Sequence, residues 1–125
     1  MKAATPGRRA ERVGERIKAE LMEILLRGDV RDPGAADCFV TDVVVSDDLG
    51  QARVYVRLLR EDVGPAEQQR ALAALGRAAG YLRRALAGRL EIKHQPELRF
   101  YWDDGVDRAV RIERLLAEIA SEGKA

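Results

Sequence analysis

Residues 38–60 read CFVTDVVVSDDLGQARVYVRLLR. Two valine-rich runs, 38–46 and 51–60, flank the turn-forming Asp47-Asp48-Leu49-Gly50. Alternation is clearest in the second run. Ala52, Val54, Val56 and Leu58 share one face, and Arg53, Tyr55 and Arg57 share the other. A period of two marks a strand with one buried face, and acids with glycine between two such runs mark a tight turn. The stretch therefore predicts an antiparallel hairpin, which rules out an all-helical domain.

Helical patterns lie on both sides. Before the hairpin, Val13, Ile17, Leu21 and Ile24 form an apolar stripe on a helix predicted over about 8–27, with Gly28 at its C-cap. Turn-rich DVRDPGAAD (29–37) leads from it into the first strand. After the hairpin, Gly64-Pro65 opens a long Ala/Leu-rich helical region over 65–90. PELRFYW (96–102) predicts a third strand with Leu98, Phe100 and Trp102 on one face. DDGVDRAVRIERLLAEIA (103–120) predicts a turn and a last helix, with Val110, Leu115, Leu116 and Ile119 on its apolar side. The whole predicts a single α+β domain: a three-stranded sheet packed with helices, running from 8 to 120 between a flexible segment 1–7 and a short tail 121–125.

The chain has 125 residues, 46% apolar and 34% charged, a globular composition. No apolar run approaches the ~18–20 residues that span a bilayer. The N-terminus lacks the apolar core of a secretory signal, and one cysteine, Cys38, forms no internal disulfide framework. A cytoplasmic protein without a membrane partner is expected.

Net charge is only +1, but it is unevenly spread. Residues 1–18 hold six Lys/Arg against two acids, 19–69 five against eleven, 70–93 six against one, and 94–125 five against seven. Two basic segments on an otherwise acidic chain suit a phosphate-binding face. Solvated helix faces explain the N-terminal run equally well.

Enzyme chemistry finds little support. His94 stands alone, Cys38 begins a strand, and neither Ser46 nor Ser121 sits in a nucleophile elbow. Asp47-Asp48 and Asp103-Asp104 occupy turn positions, where aspartate serves the backbone. A hydrolase using Asp103-Asp104 is the distant rival. Phosphate loops, dinucleotide fingerprints and metal-spaced Cys/His sets are absent from the sequence, and no cofactor is expected.

Binding remains. On a straight helix Arg70, Arg77 and Arg84, seven apart, drift only about 20° per step and line one face. Leu72, Leu75, Leu82, Leu86 and Leu90 take the other side, leaving Arg83 between them and Arg89 toward the apolar side. Within LGRAAGYLRRAL (75–86), Ala78-Ala79-Gly80 is a weak point, because helical glycine costs about 1 kcal/mol relative to alanine. A break there would re-aim Arg83 and Arg89. Equally, the small residues only let the helix bend onto the sheet.

RRAERVGERIKAEL, VTDVVVSDDLGQARVYV, ALGRAAGYLRRALAGRLEIKHQPELRFYWDD and RIERLL, in this order over about residues 8–119, resemble the ribosome-binding factor A family of bacterial small-subunit maturation factors. The resemblance implies a type II KH-like fold in the order α-β-β-α-kink-α-β-α. An alanine-centred interhelical kink at Ala78, Ala79 and Gly80 then replaces the KH nucleic-acid loop. It implies a non-enzymatic factor that binds 16S rRNA of the immature 30S subunit, assists late maturation and 5′-end processing, and is monomeric when free. Arg77, Arg83, Arg84, Arg89 and Lys93 are the expected phosphate contacts, with Arg70, Arg8, Arg9 and Arg12 as additions. Two positions depart from the family pattern: Gly105 stands where serine is usual after the paired aspartates, and Gly34 where arginine often follows Asp-Pro. The competing reading is an α+β protein-interaction module, packed through the second strand or the last helix, without RNA binding.

Overall fold

A computed structural model describes residues 6–60 and 62–123. The elements are α1 (Pro6–Leu26), a short 3-10 turn (Pro33–Ala35), β1 (Cys38–Val45), β2 (Gln51–Leu58), α2 (Pro65–Ala87), β3 (Glu97–Trp102) and α3 (Val106–Gly123). Thus α1 begins at Pro6 and α3 runs to Gly123, inside the segments expected as a loose end and a tail. Residues 1–5 and 124–125 of those segments lie outside the described residues, as does the Val110 side chain.

The hairpin forms as expected. β1 and β2 pair antiparallel from Val45↔Ala52 to Cys38↔Leu58. A bulge between Val40 and Asp42 leaves Thr41 as the extra residue. The turn is closed by side chains as well as backbone. Asp48 Oδ1 accepts from Ser46 Oγ at 2.7 Å and from Gly50 N–H at 2.9 Å, which holds the Asp48 carboxyl below its ordinary pKa. The left-handed residue here is Leu49 (φ 61°), not the glycine.

β3 pairs parallel with β2, from Gln51↔Glu97 to Val56↔Trp102, so the sheet order is β1-β2-β3. Parallel neighbours need a long crossover, and α2 supplies it. α1 packs over β1 and α2 over β3. The predicted α1 stripe (Ile17, Leu21, Ile24) and the predicted β2 face (Ala52, Val54, Val56, Leu58) meet in one core with Leu75, Leu82, Leu86 and Leu98. Gly28 follows the last turn of α1, as a C-cap should. On the far side of the sheet, Tyr55 is buried with its ring against Tyr101, centroids 5.6 Å apart.

The expected interruption at Ala78-Ala79-Gly80 is not there. One helix runs through it, and the order is α-β-β-α-β-α with three helices. Magnitudes explain why. The glycine costs about 1 kcal/mol, whereas burying Leu75, Leu82 and Leu86 on one continuous helix contributes about 1.5–3 kcal/mol each. α2 ends instead at Gly88, whose N–H returns to the Arg84 carbonyl at 3.3 Å, and Arg89 lies beyond it.

Cys38 is buried at the start of β1, and desolvation, aided by Asp37, raises its thiol pKa from 9.0 to about 11. The folded protein is therefore expected to resist alkylation at pH 8, while urea-unfolded protein reacts fully; mass spectrometry of iodoacetamide adducts reads the difference. The sign follows from the raised value. Stability from keeping the thiol neutral is complete below pH 9 and is lost as pH climbs from 9 to about 11.

Candidate nucleic-acid interface

α2 carries most of the expected contacts, and the structure sorts them by what already holds each one. Arg70 and Arg84 are exposed and have no ion pair among the described residues. The Arg84 guanidinium lies back along its own helix, with Nη1 3.5 Å from the point a Cβ on Gly80 would occupy. A Cβ at residue 80 would make an ordinary van der Waals contact with the arginine. Lys93 is exposed in the loop between α2 and β3, also without an ion pair among the described residues.

Arg77 lies on the same face but is latched. Its Nε and Nη2 donate to Asp32 Oδ2 at 2.9 and 2.7 Å. Asp32 Oδ1 accepts from Gly34 N–H at 3.0 Å, capping the 3-10 turn. The Arg77 guanidinium, then the Gly34 amide, hold the Asp32 carboxyl below its ordinary 3.8. The latch therefore persists at neutral pH and is lost only as pH falls through that lowered value. Arg83 donates through Nε and Nη2 to the Gln95 carbonyl at 3.2 and 2.7 Å, pinning the loop ahead of β3 while remaining exposed.

Arg89 is spent on packing. Its Nη1 lies 2.8 Å from Glu20 Oε1 and 3.4 Å from Glu23 Oε1, and its side chain is only 25% exposed. The hydrogen bond to Glu20 is the main reason its pKa is raised above the ordinary arginine value. The residue ties the end of α2 to α1. Sequence periodicity places it on the apolar side of a straight helix; the interhelical pair with Glu20 and Glu23 is not legible there because it is wholly tertiary.

Arg8, Arg9 and Arg12 are exposed on the first turns of α1. Glu20, which meets Arg89, lies twelve residues beyond Arg8, about 18 Å along the helix. The N-terminal arginines and the end of α2 are therefore separate patches.

Tyr81 on α2 is exposed, while Tyr55 is 4% exposed and closed to a base. Phe100 and Trp102 pack against the core from the strand face they share, and the Arg57 guanidinium sits 5.1 Å from the Trp102 ring centroid.

The paired aspartates divide. Asp103 is 2% exposed. Its Oδ2 lies 2.6 Å from the Thr41 hydroxyl, and its Oδ1 accepts from Gly105 N–H at 3.0 Å. Its own N–H donates to the Val56 carbonyl at 3.0 Å, and its carbonyl accepts from Arg57 Nη1 at 2.7 Å. Both carboxylate oxygens are thus engaged in structure. The position after the aspartates has φ +84°, a conformation L side chains rarely adopt, which suits the glycine found there. At Gly34 the constraint is space. An added Cβ would lie 3.0 Å from Ala74 Cβ and 3.1 Å from the Arg70 carbonyl, so a side chain there would need the turn and α2 to move apart by a few tenths of an ångström.

Among the described residues, no group of three or more His, Cys, Asp or Glu is placed to hold a metal ion, and no helix is long and apolar enough to cross a membrane.

The sequence profile of the family described as "Ribosome-binding factor A" matches residues 9–116. A protein of that name from Gloeobacter violaceus is 39% identical over 119 residues, covering 94% of this chain and 90% of its own. One from Brevibacillus brevis is 40% identical over 116 residues, covering 93% of each. The crystal structure of ribosome-binding factor A from Thermus thermophilus superposes with a TM-score of 0.63 at 30% identity, covering 74% of this chain and 93% of that one. Thermus thermophilus coordinates fitted into a cryo-EM map of a 30S complex superpose with a TM-score of 0.52 at 33% identity, covering 71% and 94%.

Proposed function

The chain belongs to the ribosome-binding factor A family, and from that premise we propose that it binds 16S rRNA of the immature 30S subunit and assists late maturation and 5′-end processing without catalysing a reaction. Cytoplasmic action as a monomer is part of the same proposal, as is a KH-like use of α2 with the loop that follows it. The observation that carries it is the α2 face: Arg70 and Arg84 stand exposed without an ion pair among the described residues on one continuous helix. The relative seated in a 30S complex supports it. Arginine suits the task because its planar fork can hold two phosphate oxygens at once. A single exposed aromatic on α2, Tyr81, beside several arginines favours reading of backbone shape over reading of many bases.

Co-sedimentation with immature small subunits tests the reading. Binding is expected to fall steeply between about 50 and 200 mM salt, with a slope near −0.7 per single-strand phosphate contact. Failure to bind any small subunit would sink it.

One observation favours the protein-interaction reading. Ile112, Leu115, Leu116 and Ile119 form a stripe on α3 that is 41–59% exposed. Binding through that apolar stripe would respond weakly to salt, and the same titration separates the two readings.

A further inference from the structure

A shallow groove of about 260 Å³ opens between α2 and the segment joining α1 to β1. Val30, Ala74 and Ala78 give it an apolar lining, and the Tyr81 ring stands at its side, 41% exposed. The small, half-buried Ala78 lets a flat group approach the helix closely. The volume lies below the roughly 300–1,000 Å³ of pockets that enclose drug-sized ligands, so it suits a fragment of about one ring system.

The charges around the groove decide between ligand types. Arg31 and Arg77 line it, but so do Asp29 and Asp32, and Arg77 is latched to Asp32 at 2.7 Å. Two cations offset by two anions leave little attraction for a phosphate inside. A neutral aromatic ring fits better: it gains the Tyr81 face, and an exocyclic amine at its edge has a carboxylate to donate to in Asp29. A phosphate on one side of that ring would meet Arg84, three residues farther along α2.

We propose that this groove holds one unstacked nucleobase of single-stranded RNA against Tyr81, beside the phosphate-binding arginines of α2. The site gives Ala78 a role that needs no helix break, since a larger side chain there would fill the space. It rests on the RNA-binding reading above.

The probe is an oligoadenylate of about 12 nucleotides, titrated by fluorescence anisotropy against the full chain, with an abasic oligonucleotide of equal length as reference. Base stacking on an aromatic side chain is worth about fivefold to a hundredfold in affinity on alanine substitution. Tyr81→Ala is expected to lose that factor for oligoadenylate, with the salt slope unchanged and affinity for the abasic strand unchanged. Ala78→Leu, which leaves the tyrosine in place, is expected to show the same selective loss. Affinity of Tyr81→Ala for oligoadenylate within about twofold of wild type overturns the base site while leaving the phosphate contacts standing. Loss of small-subunit binding in Tyr81→Ala with oligoadenylate affinity intact also overturns it, and assigns the groove to a protein side chain. A wild-type protein that binds neither strand removes the RNA-binding reading itself, and the base site with it.

Discussion

Arg70→Glu/Arg84→Glu is expected to weaken binding to single-stranded RNA about a hundredfold or more at about 50 mM salt. Counterion release sets the scale. A slope of about −0.7 per contact makes each phosphate contact worth about eightfold between about 1 M and 50 mM salt, and two worth about sixtyfold. Two carboxylates placed against phosphates carry the loss further. The salt slope should become shallower by about 1.4, a signature that misfolding does not produce. Both side chains are exposed and unpaired among the described residues, so the urea midpoint should stay put. Reversing Arg83 is a poorer choice, because it also removes two hydrogen bonds to the Gln95 carbonyl. An affinity within about threefold of wild type would show that phosphates are held elsewhere.

Asp103→Ala is expected to destabilise the fold by about 2–4 kcal/mol, a large share of the roughly 5–15 kcal/mol that holds a domain of this size together. The carboxylate joins the Thr41 hydroxyl on the β1 bulge to the Gly105 amide in the turn after β3. Removing it takes the carboxylate partner from the half-buried Thr41 hydroxyl, which keeps the Tyr55 carbonyl at 3.1 Å, and from the amide that shapes the turn. Urea unfolding should show a lower midpoint with an unchanged m-value. A loss below about 0.5 kcal/mol would mean that water replaces the carboxylate without penalty. The same geometry weighs against the hydrolase reading, since a 2% exposed carboxylate with both oxygens engaged has no room for a substrate.

The hairpin, the α1 stripe and the third strand are legible in the sequence because each is a local pattern with a two-residue or 3.6-residue period. The uninterrupted α2 is not. Sequence shows the local cost of Gly80, but the compensating burial of Leu75, Leu82 and Leu86 depends on a sheet that exists only in the folded state. The candidate site divides in the same way. Periodicity puts Arg70, Arg77 and Arg84 on one face, whereas the partners that engage Arg77, Arg83 and Arg89 lie 45, 12 and 69 positions away. No spacing rule reaches that far. The sequence gives Asp103 a turn role, which it performs, but its reach to Thr41 across 62 positions has no local signal. The nearest thing to one is a threonine and an aspartate interrupting the valine run of β1.

The parallel pairing of β2 with β3 also sets an order of events during synthesis. α1 and the β1-β2 hairpin leave the translating ribosome first, with one edge of the central strand unfilled. Residues 59–96 must follow before β3 arrives to close it. Until then Ala52, Val54 and Val56 flank an open row of backbone donors and acceptors, which any other extended chain can occupy. The Asp103 amide, bonding to the Val56 carbonyl one residue past the end of β3, is the last rung of that ladder. A polypeptide stopped short of residue 97 thus leaves that edge of β2 open, and one stopped at 102 lacks only its last rung.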